Sequence, residues 1–305
     1  MPRAVFLAAG GAIFPAAMRN LPQQRSSRAR RIAPVVAALM LSGCGTLGNP
    51  PAATNDTPLY APSASNLTSL SEVIEKHPDD PQAYNMRGAV FGEAGRNDQA
   101  LVDFNKAIEL DPKYAQAYAN RALIYRKTGK LDAALADDNK ALALDGNYVP
   151  AYVGRGIVYR EQGKGAQALG DFNKAIALKP DNAEAYYNRG LLYQSQHQHA
   201  FAIDDFSTAI GLSNGKAEPR VARALSYLAG GDSKAAADDL DQAVQQDPSD
   251  LRAWTSRGLA YEKLGDKDKA AGSYAKALNI NDKYQPAVTG FARVGGKVGQ
   301  TYPTF

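Results

Sequence analysis

Ser213-Asn214-Gly215-Lys216 has the Ser-x-x-Lys spacing of a serine acyl-transfer site, and Lys127-Thr128-Gly129 the Lys-Thr-Gly triplet that accompanies it. Here the two stand in reverse order, lack the motif that should lie between them, and fall in turns of a helical pattern rather than on a sheet. His197 and His199 could begin a metal site, but the chain has 3 histidines and 1 cysteine. That donor set is too poor for zinc, and a solvated turn fits these histidines better. Gly295-Gly296-Lys297 lacks the preceding Gly and following Ser or Thr of a phosphate loop. These spacings support no catalysis, no cofactor, no metal and no small-molecule substrate.

Two other sets of charged residues recur at a fixed step. Arg87, Arg121, Arg155, Arg189, Arg223 and Arg257 stand 34 residues apart, as do Asp103, Asp137, Asp171, Asp205 and Asp239, with Ser273 closing the second series. Six arginines in line could form a track for phosphate or nucleic acid. Equal spacing and near-equal number favour a ladder of guanidinium–carboxylate pairs across packed helices instead. Spacing leaves open whether each pair forms within a repeat or between neighbours, since either scheme sets one Arg against a Ser. The overall charge agrees with the ladder. The sequence pI is 8.9, but six of the 35 basic residues (Arg3, Arg19, Arg25, Arg28, Arg30, Arg31) fall in residues 1–43, which contain no acid. From residue 44 on, 29 basic residues face 31 acidic ones, so no nucleic-acid partner is expected.

The elements that must position these side chains follow from the period. Six copies begin at 81, 115, 149, 183, 217 and 251 without an insertion. Their fourth residues are Tyr84, Tyr118, Tyr152, Tyr186, Arg220 and Trp254, and their eleventh are Phe91, Tyr125, Tyr159, Tyr193, Tyr227 and Tyr261. The eighth is always Gly or Ala, and the twentieth and twenty-seventh are always Ala. Large and small residues at three- and four-residue spacing predict two amphipathic helices per copy, the small ones letting the helices approach closely. Gly95, Gly129, Gly163, Gly231 or Gly265 lies between them, suited to a left-handed helix terminus, with His197 in the fourth copy. Asp138 is an oddity, a charge where other copies have Phe104, Phe172, Phe206, Leu240 or Tyr274. Local exposure is its plain reading; a notch or a salt bridge is the functional one.

This pattern resembles the tetratricopeptide repeat (TPR) over residues 66–294. The resemblance implies an all-α solenoid, a right-handed superhelix of helix–turn–helix units stabilised by stacking neighbours. Six repeats are expected at 81–114, 115–148, 149–182, 183–216, 217–250 and 251–284. A partial leading repeat at 66–80, a capping helix at 285–294 and a flexible tail at 295–305 complete the domain. The resemblance also implies a concave surface, lined mainly by first helices, that holds a peptide or a partner's helix. By family position, its inward residues include Asn85, Gln116, Asn120, Arg126, Lys127, Arg160, Glu161, Tyr187, Asn188 and Gln194. Their amides are expected to grip a peptide backbone. The paired Lys/Asn and Lys/Arg clamp with which some TPR adaptors hold a C-terminal carboxylate is missing.

Cys44 belongs to another part of the chain. Arg25, Arg28, Arg30 and Arg31 precede the apolar run IAPVVAALML at 32–41, and then comes Leu41-Ser42-Gly43-Cys44. A charged region, ten apolar residues and small residues at a cleavage point describe a secretory signal, too short for a permanent span. It resembles the lipobox of a bacterial lipoprotein, which implies that residues 1–43 are removed and that Cys44 carries lipid. Met18 would begin a compact signal of its own. Residues 44–65 hold Pro50, Pro51, Pro58 and Pro62 and read as a disordered tether, with an r.m.s. span of about 25 Å. Together these features imply a membrane-anchored scaffold whose partners are other envelope proteins or peptides, with Gly45 favouring the outer membrane. The alternatives are a subunit that binds cell-wall glycan or supports an envelope enzyme, and a cytoplasmic scaffold with a miscalled N-terminus. Oligomeric state is not legible.

Overall fold

The computed structural model describes residues 64–297 and 299–303; the signal, Cys44 and nearly all of the tether lie outside the described residues. Among the described residues all regular structure is helical. Helix α1 (Ala64–Lys76) starts two residues before the leading repeat expected at 66. The paired helices follow: α2 (Pro81–Glu93) with α3 (Asn97–Leu110), α4 (Ala115–Lys127) with α5 (Leu131–Leu144), and α6 (Val149–Glu161) with α7 (Gly165–Leu178). Then come α8 (Ala183–Ser195) with α9 (His199–Leu212), α10 (Ala217–Gly230) with α11 (Ser233–Gln246), α12 (Leu251–Leu264) with α13 (Lys267–Ile280), and the closing α14 (Gln285–Arg293).

Local chemistry sets these boundaries. Asp80, Asn182, Asp232, Asp250 and Asp266 cap helix N-termini through their side-chain oxygens. The turn inside each pair needs a left-handed residue, and His197 supplies it at φ 59° where the other pairs use Gly. That substitution costs about 1–2 kcal/mol. Second helices end where Asp111, Asp145, Asp247 or Asn281 accepts the N–H two residues on, a side-chain turn that leads the chain into the next repeat.

Packing explains the small residues. Ala100, Ala134, Ala168, Ala202, Ala236 and Ala270, and likewise Ala107, Ala141, Ala175, Ala209, Ala243 and Ala277, are completely buried. The eighth and twenty-fourth positions form a matched pair. A Cβ on Gly88, Gly156, Gly190 or Gly258 would lie within 2.6–2.8 Å of the ring of Phe104, Phe172, Phe206 or Tyr274. Where the partner is Asp138 or Leu240, the eighth residue is Ala122 or Ala224. Volume is thus conserved in every pair but that of Ala122 and Asp138, as close packing requires.

The stack has two unlike faces. Each first helix touches the next first helix, α2 to α4 and on to α12 with α14, whereas successive second helices have no backbone contact among the described residues. First helices therefore crowd together on the inner side and second helices spread on the outer one. At the C-terminal end, Tyr302 of the segment expected to form a flexible tail is half-buried, while most of its described neighbours are exposed. Tyr302 sets its ring edge-on against Phe291, accepts the Lys297 N–H and brings the Pro303 carbonyl against Gly272 of α13. One aromatic residue thus ties this segment to α14.

Candidate functional site

The arginines of the ladder are occupied. In Arg87, Arg121, Arg155, Arg189 and Arg223, Nε and Nη2 donate to both oxygens of the aspartate sixteen residues on, at 2.6–2.8 Å. Each pair therefore forms within one repeat, joining its two helices. The remaining Nη1 reaches back to Ser71, Asn105, Asn139, Asn173 or Ser207 of the preceding repeat at 2.6–3.2 Å. One guanidinium thus ties three helices, and the bonded aspartate holds each of these arginine pKa values above the usual one. Rings at the fourth and eleventh positions flank the cation, as Tyr152 and Tyr159 do at 5.6 and 5.9 Å from Arg155, except at Arg223, where Arg220 takes the fourth position and Tyr227 alone remains. The backward bond to the twenty-fifth position was missed, although Ser71, Asn105, Asn139, Asn173, Ser207 and Asp241 repeat with the same step.

Several inner-face amides hold the protein's own repeats together rather than facing solvent. Asn85 is 2% exposed, donates to the Tyr114 hydroxyl and accepts from Asn120 Nδ2 at 2.9 Å. The Tyr114 hydroxyl in turn donates to Gln116. Asn188 is also buried, its Nδ2 donating to the Glu184 carbonyl. Gln194 donates to the Ala222 carbonyl and to Ser226 Oγ of the next repeat, and Lys127 donates to the Gly92 carbonyl of the previous one. The expectation that these amides are all open to a peptide backbone is corrected for Asn85 and Asn188. Asn85 meets the neighbouring first helix before it meets solvent, and Asn188 bonds back onto its own helix.

Gln116, Asn120, Arg126, Arg160, Tyr187 and Gln194 remain partly exposed, and Lys127 and Glu161 are exposed. Arg126 faces Glu161 across the repeat boundary at 3.9 Å. Burial lowers the Arg160 pKa, and its Nε finds no partner. Tyr187 packs its ring on Phe206 and lines a cavity of about 290 Å³ with Lys216 and Glu218.

Asp138 overturns its plain reading, since it is 2% exposed. Its carboxyl group borders a cavity of about 120 Å³ between the second and third repeats, together with Asn120, Arg126, Val153, Gly154 and Ile157. Burial is the main reason its pKa is pushed up to about 8, with Arg126 opposing. No group of His, Cys, Asp and Glu among the described residues could hold a metal.

Profiles for the TPR repeat match residues 88–129 and 156–196, and profiles for the tetratricopeptide repeat match 221–286, 115–148 and 183–215. No curated protein matches the sequence. Among solved structures, the Cut9–Hcn1 hetero-tetramer of APC/C aligns at TM-score 0.69 and 18% identity, over 76% of this chain and 46% of that one, so this chain spans less than half its length. Pseudomonas aeruginosa PilF aligns at TM-score 0.63 and 21% identity, over 70% of this chain and 97% of that one. YrrB, described as a TPR protein with an unusual peptide-binding site, aligns at TM-score 0.50 and 27% identity, over 61% of this chain and 96% of that one. Repeat profiles over more than half of the chain, a common solenoid fold and, among the described residues, helix pairs stacked at a 34-residue step lead to one assignment: the chain belongs to the tetratricopeptide-repeat family.

Proposed function

We propose that this protein is a lipid-anchored adaptor of a bacterial cell envelope that binds a polypeptide partner along the inner face of its repeats. The observation that carries the binding reading is the crowding of first helices onto one face, with partly exposed polar side chains such as Asn120, Arg126, Arg160 and Gln194 along it. A face of this kind presents donors and acceptors from successive repeats to an extended chain at regular intervals. The peptide-binding site named for YrrB agrees with this reading. The anchor rests on sequence: arginines, a ten-residue apolar run, Leu41-Ser42-Gly43-Cys44 and then a proline-rich stretch. Gly45 after the cysteine points to the outer membrane.

A photo-crosslinking residue at Tyr187 on the inner face, compared with one at Val102 on the outer helix α3, tests the groove in intact cells. The inner position should capture a defined partner that the outer one does not; equal capture from both would exclude the groove. Labelled palmitate should enter the wild-type protein and not a Cys44→Ser variant, which should leave the membrane fraction.

A further inference from the structure

Two departures from the repeat pattern meet at one place. The twenty-fourth side chain is a buried ring or Leu in the other repeats, and in the second repeat it is Asp138. The smaller side chain leaves the cavity of about 120 Å³ on the inner face. Opposite it, at the sixth position, other repeats carry Met86, Asn120, Asn188, Ala222 or Ser256, and the third repeat carries Gly154. A Cβ there would lie 3.0 Å from Asp138 Oδ2. The glycine thus clears the approach to a carboxyl group that is almost wholly buried and accepts no hydrogen bond among the described residues.

The charges around Asp138 do not neutralise it. Its neighbours Asp137 and Asp171 are each held by two bonds from Arg121 and Arg155, so those arginines are spent. The nearest remaining cation, Arg126, makes its ion pair with Glu161, and its Nε is buried without a partner. Glu184 of α8 lies at the rim, and the Tyr148 hydroxyl, its own pKa raised by burial, is the other titratable group facing Asp138. Leu123, Val153 and Ile157 supply the apolar part of the wall, beside Asn120 and Arg126. An apolar collar above a buried carboxyl group matches a cation on a thin unbranched alkyl stem.

We infer that this notch receives a primary ammonium on an alkyl stem, the lysine side chain of a polypeptide lying in the groove, with Asp138 as its counter-ion. The lysine source rests on the groove reading above; the ammonium site does not. Without an occupant, Asp138 keeps its proton up to about pH 8. Entry of the cation expels that proton, so occupancy tightens as pH rises toward 8 and levels off above it.

Carboxyl ¹³C NMR of the full chain, with n-butylammonium chloride as probe and n-butanol at equal ionic strength as control, tests the site. Asp138, assigned by its loss in Asp138→Asn, should show an apparent pKa lowered by at least one unit at saturating butylammonium and unmoved by butanol. Saturable butylammonium binding should weaken tenfold or more in Asp138→Asn, whose near-identical shape keeps the fold. An unmoved pKa, an equal response to butanol, or unchanged binding in the variant overturns the site. A second arm measures labelled Ala/Asn dodecapeptides with a central Lys or norleucine. Preference for Lys, lost in Asp138→Asn, supports the lysine source. Binding of butylammonium with no preference for Lys would overturn that source while leaving the ammonium site, and failure of both peptides to bind would refute the groove reading instead.

Discussion

Arg257 donates from Nε to Asp241 Oδ1 at 2.6 Å, sixteen residues back, whereas the arginines of the first five repeats take their carboxylate sixteen residues ahead. The last rung of the ladder is inverted. Ser273 stands where the forward aspartate should be and receives Nη1 at 2.7 Å, while Asp241 also accepts from the Tyr261 hydroxyl at 2.8 Å. The carboxylate has moved from the twenty-third position of one repeat to the twenty-fifth of the one before, and it still reaches a fully buried guanidinium.

Removing that carboxylate should be costly at this repeat alone. Asp241→Ala withdraws the bonded anion from a buried arginine and should destabilise by about 3–5 kcal/mol. Ser207→Ala, at the same position of the preceding repeat, removes a neutral acceptor from Arg223, which keeps its own aspartate, and should cost less, about 1.5–2 kcal/mol. Urea unfolding of both variants checks the difference; equal midpoints would show that the inverted rung carries no special weight.

A forward rung can be tested by a double-mutant cycle on Arg155 and Asp171. The side chains are 21% and 9% exposed, so either alanine substitution alone should cost about 2–4 kcal/mol, somewhat below a fully buried pair. The double variant should cost less than the sum of the singles, because neither charge is then left unpaired. Additive losses would mean that the two side chains act independently.

The matched pair of eighth and twenty-fourth positions predicts a specific rescue. Gly156→Ala places a Cβ about 2.6 Å from Phe172 and should destabilise by about 1–3 kcal/mol through overpacking. Adding Phe172→Leu recreates the Ala224 and Leu240 combination found in the fifth repeat and should recover most of the loss. Thermal melts of the single and double variants decide; a double variant less stable than Gly156→Ala would sink the volume argument.

Asp138 gives a pH dependence whose sign follows from its raised pKa. With a value near 8 in the folded chain against 3.8 for an unperturbed side chain, the folded state holds the proton across that interval and the unfolded state does not. Its contribution is therefore fully present below about pH 4 and is lost progressively as pH rises to about 8. Asp138→Asn lacks this term. Its unfolding free energy relative to wild type should rise between pH 4 and 8 by an amount on the order of a few kcal/mol and stay flat above. A difference independent of pH would place the carboxyl group in contact with solvent.

Much of the fold was legible because the repeat states it six times over. Each helix pair needs small residues where its axes approach, a left-handed residue between its helices and an aromatic to fill the remaining space, and all three recur every 34 residues. The site was harder to read. Asn85 and Asn188 look like exposed groove amides by their position, yet Asn120 of the next first helix bonds Asn85 and Asn188 turns back onto its own helix. Asp138 looks like a surface charge because an isolated Asp in a helical pattern usually is one. Its burial arises from α4 of its own repeat and α6 of the next packing around it, a relation no local spacing contains.

The sequence by itself determined the helix pairs, the fully buried alanines and the existence of an Arg–Asp ladder, since each depends on short-range periodicity or on counts of matching charges. Only the tertiary structure decided that the rungs lie within repeats, that the sixth is inverted onto Asp241, and that Asp138 lines a notch opposite Gly154. Those outcomes depend on which helix faces lie within about 3 Å of one another after stacking, the range over which a hydrogen bond forms.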